Sequence, residues 1–252
     1  MKLRLEQRIF LRSLCWQTSW NFARMQCLGL AYAIYPLLEK LYGKNSEHLA
    51  RRTRRYMVCF NTNPYMAAAI LGFMVHMERQ GEEMGDQGLA LSGSLSGLYG
   101  AVGDAFFWNG LKPMVSALAV MLFFWQPGFW APLFLLCAYN IVHLGMRYTI
   151  YLHGLHRGIG VIETINSWHL PGFRNAMEFV TSASLAATAF LLVDYFALAG
   201  QKYRSFSFLL LLLLLAVMGW RRRELGEGQP RLGESLILGG VAVLLSLLFF
   251  HT

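Results

Sequence analysis

The chain has 252 residues, of which 56% are hydrophobic and 14% are charged, and its mean hydropathy is +0.40. Soluble domains carry about 25% charged residues, so this composition excludes an ordinary soluble domain, and it equally excludes a disordered or nucleic-acid-binding tail. Residues 1–55 hold eleven basic and three acidic side chains, whereas residues 56–252 hold eleven of each. The net charge of +8 therefore lies in the N-terminal fifth, which is typical of a multi-pass membrane protein with a basic cytoplasmic N-terminal region.

The first 80 residues predict amphipathic helices with a basic face. Apolar residues recur at three- and four-residue steps from Trp16 to Ile34, which predicts one helix through this segment. We expect Pro36 to kink or end that helix. Asn45 and Ser46 predict the N-terminus of a second helix. Its arginine-rich face suits either an anionic membrane surface or the solvated side of a helical hairpin. The arginines are Arg51, Arg52, Arg54 and Arg55.

The middle of the chain predicts short and interrupted helices. Asn63-Pro64 disfavours helix before the proline and suits the start of a new one, so residues 60–65 predict a turn. The apolar helix that follows, at about 64–79, is short for a full crossing and predicts a re-entrant or half-membrane helix. Residues 81–103 carry seven glycines. We expect a loop over 81–88 and a close-packed or broken segment over 89–103, with Gly93 and Gly97 at the spacing of a close helix approach.

The second half of the chain predicts membrane helices. Residues 113–146 contain no charged side chain but are interrupted by Gln126-Pro127-Gly128, which predicts a helix, a break and a second helix. Apolar runs at 179–199, 206–220 and 235–250 predict C-terminal transmembrane helices. The basic loop between the last two predicts a cytoplasmic loop and a C-terminus outside the cell.

These patterns together predict an all-α polytopic membrane protein. We expect amphipathic and half-membrane helices with a basic cytoplasmic face over 1–80, and a glycine-rich core with broken or re-entrant helices over 81–175. We expect C-terminal transmembrane helices over 176–252.

Asp104 is the first candidate for a functional role, since a carboxylate in the apolar context Ala-Val-Gly-Asp-Ala-Phe-Phe-Trp is costly in a membrane. A structural ion pair or a helix N-cap explains the residue equally well. On an α-helix, Asp104 shares a face with Trp108 and Lys112. Asp194 is a weaker candidate, because it lies near the end of its apolar run.

Three histidines, His143, His153 and His156, fall within fourteen residues and raise the alternative of a metal-dependent membrane enzyme. No carboxylate-rich or H-E-x-x-H pattern completes such a site, and no P-loop, nucleophile elbow or dinucleotide fingerprint is present in the sequence. The four cysteines show neither zinc-site nor disulfide spacing. We therefore expect no metal, no cofactor and no catalytic residue in this chain.

Three stretches resemble one known family. They are Ser-Trp-Asn-Phe-Ala-Arg-Met-Gln-Cys-Leu-Gly at 19–29, Phe-Asn-Thr-Asn-Pro-Tyr at 60–65 and Gly-Asp-Ala-Phe-Phe-Trp-Asn-Gly-Leu-Lys-Pro at 103–113. In order and spacing they resemble the IID component of mannose-family phosphotransferase sugar permeases. The sequence departs from the family pattern at Ala23, where the family has Glu, and at Asn63, where it has His. The segment between Gln80 and Gly103 is also shorter than is typical of the family.

The resemblance implies a non-catalytic subunit in the bacterial inner membrane. In this family, the IID subunit pairs with a IIC subunit to form the sugar path, the pairs assemble as trimers, and separate IIA and IIB proteins carry the phosphoryl group. It implies sugar and membrane lipid as ligands and no nucleic acid. The departures keep open three alternatives: a different sugar, a divergent member of an incomplete phosphotransferase system, and a regulatory subunit that has lost transport.

The resemblance also assigns residues to roles. It implies a substrate path or gate formed by Asn61, Asn63, Asp104, Trp108 and Lys112. It implies structural roles for Trp20, Asn21, Arg24, Gln26, Pro64, Gly103 and Pro113.

Overall fold

The structure, a computed structural model, describes residues 3–198, and these residues form helices joined by short turns. In chain order the elements are α1 (Leu5–Ser13), α2 (Cys27–Tyr42), α3 (Glu47–Arg55), α4 (Ala67–Glu78), α5 (Glu82–Gly103), a π-helix (Asp104–Leu111), α6 (Lys112–Trp125), α7 (Trp130–Arg157), a 3-10 turn (Gly158–Gly160), α8 (Val161–Ser167) and α9 (Leu170–Leu198). Within 3–198 no β-strand is present, and the all-α expectation is confirmed. The helices predicted over 206–220 and 235–250 lie outside the described residues.

The described residues divide into two compact units. The first holds residues 3–107 and 140–171, and the second holds residues 108–139 and 172–198. Two helical stretches, Glu82–Trp125 and Trp130–Ser167, are long and apolar enough to cross a membrane. The break predicted at Gln126-Pro127-Gly128 is confirmed, because α6 ends at Trp125 and α7 begins at Trp130.

Helix α4 is the core of the first unit, and nearly all of its side chains are buried. It crosses α7 with no side chain between the two backbones. A Cβ added at Gly72 would lie 2.8 Å from the Leu155 nitrogen, and one added at Gly154 would lie 2.8 Å from the Phe73 nitrogen. Glycine at both positions therefore lets a twelve-residue apolar helix be enclosed by protein.

The helix predicted from Trp16 to Ile34 is wrong in its first half, since residues 14–26 form turns between α1 and α2. The Asn21 Oδ1 atom accepts a hydrogen bond from the Arg24 nitrogen at 2.9 Å, and Met25 has a φ of 54°. Side chains such as Asn satisfy the backbone locally and compete with helix. Pro36 does not end the helix, because α2 continues through it to Tyr42.

The loop predicted over 81–88 is wrong, because α5 is one continuous helix of 22 residues. Over 89–103 the helix is not broken, and the close-packed alternative is confirmed at Gly103, where a Cβ would lie 2.5 Å from the Asn63 Cβ. Its glycines are tolerated where they lie against other elements. A Cβ at Gly88 would lie 2.9 Å from the Met77 Cβ, and one at Gly85 would lie 2.9 Å from the Glu78 Cδ. At Gly93 and Gly97 no neighbouring atom within residues 3–198 lies within 4 Å, so among the described residues the close approaches of α5 are at other glycines.

A buried ion pair ties α3 to α4 and α5. Arg52 is 2% exposed and Glu78 is 1% exposed, and they are joined by two hydrogen bonds, Nε to Oε1 at 2.6 Å and Nη2 to Oε2 at 2.8 Å. The hydroxyl of Tyr42 donates to Oε1 at 2.7 Å, and the hydroxyl of Tyr56 donates to Oε2. Asp86 accepts from Arg52 Nη1 at 2.5 Å. Both charges are therefore fully hydrogen-bonded, as burial requires.

The protonation states within this cluster are fixed by burial and by the Glu78 carboxylate. Burial, together with the hydrogen bond and charge of Glu78, raises the pKa of Tyr42 and of Tyr56 above the ordinary value. Burial alone acts to lower the pKa of Arg52, but the hydrogen bonds and charge of Glu78 outweigh it and raise that pKa. The tyrosines thus stay neutral donors and the arginine stays charged.

Ser46 caps α3 as predicted, because its hydroxyl oxygen accepts a hydrogen bond from the Leu49 nitrogen at 2.9 Å.

Replacing Arg52 by Gln is expected to destabilise the protein by about 3–5 kcal/mol, because the buried Glu78 would lose its cationic partner. The measurement is equilibrium or thermal unfolding of the purified chain in detergent. Arg51→Gln is the control, because Arg51 is exposed and makes only a 3.4 Å contact with Glu47; its cost is expected within about 0.5 kcal/mol. Equal stability of the two variants would contradict the assignment.

Candidate functional site

The candidate site lies where the turn at residues 60–66 meets the end of α5. Asn63, 2% exposed, donates from Nδ2 to Asp104 Oδ1 at 2.9 Å. Its own Oδ1 accepts from the backbone nitrogens of Tyr65 at 3.0 Å and Met66 at 3.4 Å. One amide side chain therefore both organises the turn that leads into α4 and holds the Asp104 carboxylate.

Gly103 makes this contact geometrically possible. A Cβ at position 103 would lie 2.5 Å from both Cβ and Cγ of Asn63, and 2.7 Å from Cγ of Met66. A Cβ one helical turn earlier, at Gly100, would lie at an ordinary 3.8 Å from Thr62 Oγ1. Position 103 thus requires glycine because the side chain of Asn63 occupies the space that any larger residue would need.

Gln26 links the first motif to the same turn. Its Oε1 accepts from Trp16 Nε1 at 2.9 Å and from the Thr62 nitrogen at 3.2 Å, while its Nε2 donates to the Thr62 oxygen at 2.8 Å. The backbone nitrogen of Gln26 donates to the Phe60 oxygen at 2.8 Å. The first two motifs are therefore one hydrogen-bonded structure, and Trp16, 1% exposed, is part of it.

Asp104 begins a π-helix of eight residues. Such segments are rare and are frequent at functional sites, because the wider repeat moves side chains off their α-helical positions. The prediction that Asp104, Trp108 and Lys112 share one face assumed an α-helix. It is therefore wrong, because Asp104–Leu111 is a π-helix. Asp104 is half-buried against Asn63, whereas Trp108, 45% exposed, and Lys112, also exposed, belong to the second unit.

The remaining motif residues differ in exposure. Pro64 and Gln26 are buried, Asn21 and Pro113 are half-buried, and Trp20, Arg24 and Asn61 are exposed. Sequence reasoning missed Thr62, whose buried Oγ1 has no hydrogen-bond partner within residues 3–198. The sequence signal that could have identified Thr62 is its position between Asn61 and Asn63, which were both predicted site residues.

The structure gives the three candidate histidines separate surroundings. The His143 ring packs on Tyr65 with centroids 4.6 Å apart, and the His153 ring meets Trp168 edge-on at 6.5 Å. His156 is exposed. Across the part of the chain that the structure describes, no group of three or more His, Cys, Asp or Glu side chains is placed to hold a metal ion. All three histidines lie in the first unit, where Arg147 donates to the Ser13 carbonyl at the end of α1.

The fold and the site define a polytopic helical membrane protein in which the short apolar helix α4 begins at a polar turn. The family described as the PTS system mannose/fructose/sorbose family IID component matches residues 4–195. This chain belongs to that family, as its three motifs predicted, and is thus a bacterial inner-membrane protein.

Named relatives agree with this assignment. The chain is 35% identical to the mannose-specific EIID component of the PTS system in Escherichia coli K12, over 64% of this chain and 58% of that protein. It is 30% identical to the fructose permease IID component of Bacillus subtilis, over 62% of this chain and 58% of the relative. The matches therefore span less than two thirds of these relatives.

Two solved structures share the fold. One is the cryo-EM structure of the mannose transporter ManYZ with microcin E492, which matches with a TM-score of 0.58 and 29% identity over 77% of this chain and 70% of that one. Another, described as a membrane protein, has a TM-score of 0.64 and 29% identity over 75% of this chain and 71% of that one.

Replacing Gly103 by Ala is expected to cost about 1–3 kcal/mol, since the new methyl group must displace Asn63 and with it the contact to Asp104. Thermal unfolding in detergent measures the loss. Gly97→Ala is the matched control in the same helix, because its Cβ would meet open space; we expect it to be neutral or to stabilise by up to about 1 kcal/mol. A Gly103→Ala protein as stable as Gly97→Ala would refute the close approach.

Proposed function

We propose that this chain is the IID-type subunit of a mannose-family sugar permease and forms the sugar path together with a IIC-type membrane protein. The observation that carries the proposal is the 2.9 Å hydrogen bond between Asn63 and Asp104. It joins the second and third family motifs, 41 residues apart, at the end of a half-length helix. Broken helices that meet at a polar point inside the membrane are the usual architecture of a transport site.

The chemistry of this point suits a neutral, hydroxyl-rich substrate. The Asp104 carboxylate has about four lone-pair sites, and Asn63 occupies one of them, so capacity remains for sugar hydroxyls. Asp104 is half-buried rather than enclosed, and Thr62 adds a hydroxyl next to Asn63. Asn61 is an exposed polar group of the same turn. Trp108 and Lys112 belong to the second unit and enter the proposal through the family motif that contains them, Trp108 with an exposed aromatic ring and Lys112 with an exposed amine. We propose these residues as the substrate path or gate.

In this proposal the chain itself supplies no catalytic residue. Separate IIA and IIB proteins phosphorylate the sugar as it reaches the cytoplasm, and trimers of IIC–IID pairs form the complete permease. The C-terminus lies outside the cell. The basic face of residues 1–55 supports a cytoplasmic N-terminal region, where it meets anionic lipid or an acidic protein surface.

A regulatory subunit without transport is the second candidate. The departures at Ala23 and Asn63 from the family pattern favour it, because each replaces a titratable family residue by a neutral one. Normal sugar uptake after deletion of this chain, with altered phosphorylation of IIA or IIB, would select this second candidate.

Replacing Asp104 by Asn is expected to lower sugar uptake about 10- to 100-fold, because hydrogen bonds to a charged group contribute about 1.5–3 kcal/mol and the carboxylate is lost. Uptake of radiolabelled sugar by cells that express this chain with its IIC protein gives the measurement. Glu83→Gln, on the exposed side of the first turn of α5, is the matched control for loss of one acid, and Asp194→Asn is expected to impair uptake less than Asp104→Asn. Equal uptake by the Asp104 and control variants would contradict the assigned site.

A further inference from the structure

Helix α1 has an outer face that is both apolar and basic, formed by Arg4, Arg8, Leu11 and Leu14 on and directly beside the helix. These residues follow one another at steps of three and four, so they lie along one side. All four are exposed, Leu11 at 45% and Leu14 at 41%, whereas Ile9 on the opposite side is fully buried. The outer face therefore exposes large apolar side chains next to two cations.

The one acidic residue of α1, Glu6, is paired inward and does not neutralise this face. Its Oε1 atom accepts from Arg79 Nη2 at 2.6 Å, and its backbone oxygen accepts from the hydroxyl of Tyr151 at 3.1 Å. Arg4 and Arg8 have no ion pair within residues 3–198. The inner side of α1 is thus fixed to α4 and α7, and the outer face carries two uncompensated positive charges.

The apolar part of this face is continuous with the exposed surface of α7. Helix α7 belongs to a stretch that is long and apolar enough to cross a membrane. Its residues Ile141, Leu144 and Tyr148 lie on one side and are 72%, 40% and 42% exposed. The ring of Phe10 in α1 packs edge-on against Tyr148 with centroids 4.9 Å apart, and all four residues belong to the first unit. The exposed apolar side of a membrane helix therefore leads directly onto α1.

Around α1, side chains change from apolar to basic with distance from α7. Phe10 lies against α7, Leu14 and Leu11 come next around the helix, and Arg4 and Arg8 lie farther round. This order matches the boundary between acyl chains and headgroups, where a helix buries its apolar side and its arginines attract anionic lipid. Water or an acidic protein surface alone would match the arginines and leave the leucines exposed. The bilayer that holds α7 supplies both contacts.

Helix α3 is equally basic but lacks the apolar component. No large hydrophobic side chain is exposed within Glu47–Arg55. Its exposed residues are Glu47, Ala50, Arg51, Arg54 and Arg55. A helix face of this composition is solvated by water and gains nothing from contact with acyl chains.

We propose that the outer face of α1 binds anionic phospholipid, with Leu11 and Leu14 among the acyl chains beside α7 and with Arg4 and Arg8 donating to headgroup phosphates. The basic N-terminal region is thereby divided, since α1 meets lipid and α3 faces water. This binding requires only that the chain lies in a membrane, so its test involves neither the sugar nor the IIC protein.

The first test places a nitroxide on the full-length chain in nanodiscs of phosphatidylcholine and phosphatidylglycerol. A background without exposed thiols carries Cys15→Ser, Cys59→Ser and Cys137→Ser. A nitroxide attached through Leu11→Cys is expected to collide more with oxygen than with a water-soluble nickel chelate, because acyl chains surround it. Attachment through Ala50→Cys on α3 is the matched control and is expected to give the opposite order.

Two outcomes of this measurement overturn the proposal. If the nitroxide at position 11 collides with the nickel chelate as often as the one at position 50, the outer face of α1 meets water. If it is shielded from oxygen and from the chelate alike, protein covers the face.

The second test measures the charge component through the rise of the unfolding temperature of the chain in detergent as lipid is added. The wild-type chain is expected to bind phosphatidylglycerol more tightly than phosphatidylcholine. Replacing both Arg4 and Arg8 by Gln is expected to lower this preference by about fivefold for each arginine. Replacing Arg51 and Arg54 by Gln is the matched control and is expected to leave the preference unchanged.

Inorganic phosphate added at the same concentration separates lipid from a free anion, and it is expected not to raise the unfolding temperature. A rise as large with phosphate as with phosphatidylglycerol would assign the arginines to a soluble anion. An unchanged lipid preference after loss of Arg4 and Arg8, or its loss with Arg51 and Arg54 instead, would refute the assignment to α1.

Discussion

The first unit depends on the buried pair between Arg52 and Glu78. Bringing two charges into the interior costs several kcal/mol of solvation for each, so the pair adds little net stability. The pair instead fixes the positions of three helices relative to one another. The donors of Arg52 and the acceptors of Glu78 are all satisfied only when α3, α4 and the start of α5 pack in this one arrangement. The C-terminal end of α4 lies in this polar cluster, and its N-terminal end follows the turn in which Asn63 holds the Asp104 carboxylate.

Local signals predicted the elements whose cause is local. The Ser46 cap, the short apolar α4 and the interruption at Gln126-Pro127-Gly128 each follow from residues within a few positions of one another. The continuous α5 did not follow from its sequence, because glycine disfavours an isolated helix and only the packing against Met77, Glu78 and Asn63 offsets that. The division into segments 1–80, 81–175 and 176–252 stays a prediction, since most of the third lies outside the described residues.

Local sequence signals also predicted the candidate site only in part. Motifs identified Asn63, Asp104 and Gln26 individually, but no local rule joins an amide to a carboxylate 41 positions away, or a glutamine to a turn 36 positions away. The segment from 14 to 26 has apolar residues at helical spacing, yet it forms turns that combine local bonds at Asn21 with long-range bonds from Gln26 to Thr62. The π-helix after Gly103 could not be predicted either, because no local pattern in Asp104–Leu111 distinguishes it from an α-helix. The family resemblance gathered these residues, and the structure supplies the reason they occur together.

The contact between Gly72 and Gly154 has an evolutionary consequence. At most core positions, an enlarged side chain can be rescued by a smaller one opposite, because side chain meets side chain. Here each absent Cβ faces main-chain atoms of the other helix, which no substitution can make smaller. A larger residue at one of the two positions therefore cannot be compensated by a smaller residue at the other. The two positions are expected to remain glycine independently of each other through sequence divergence, rather than to covary as a compensating pair.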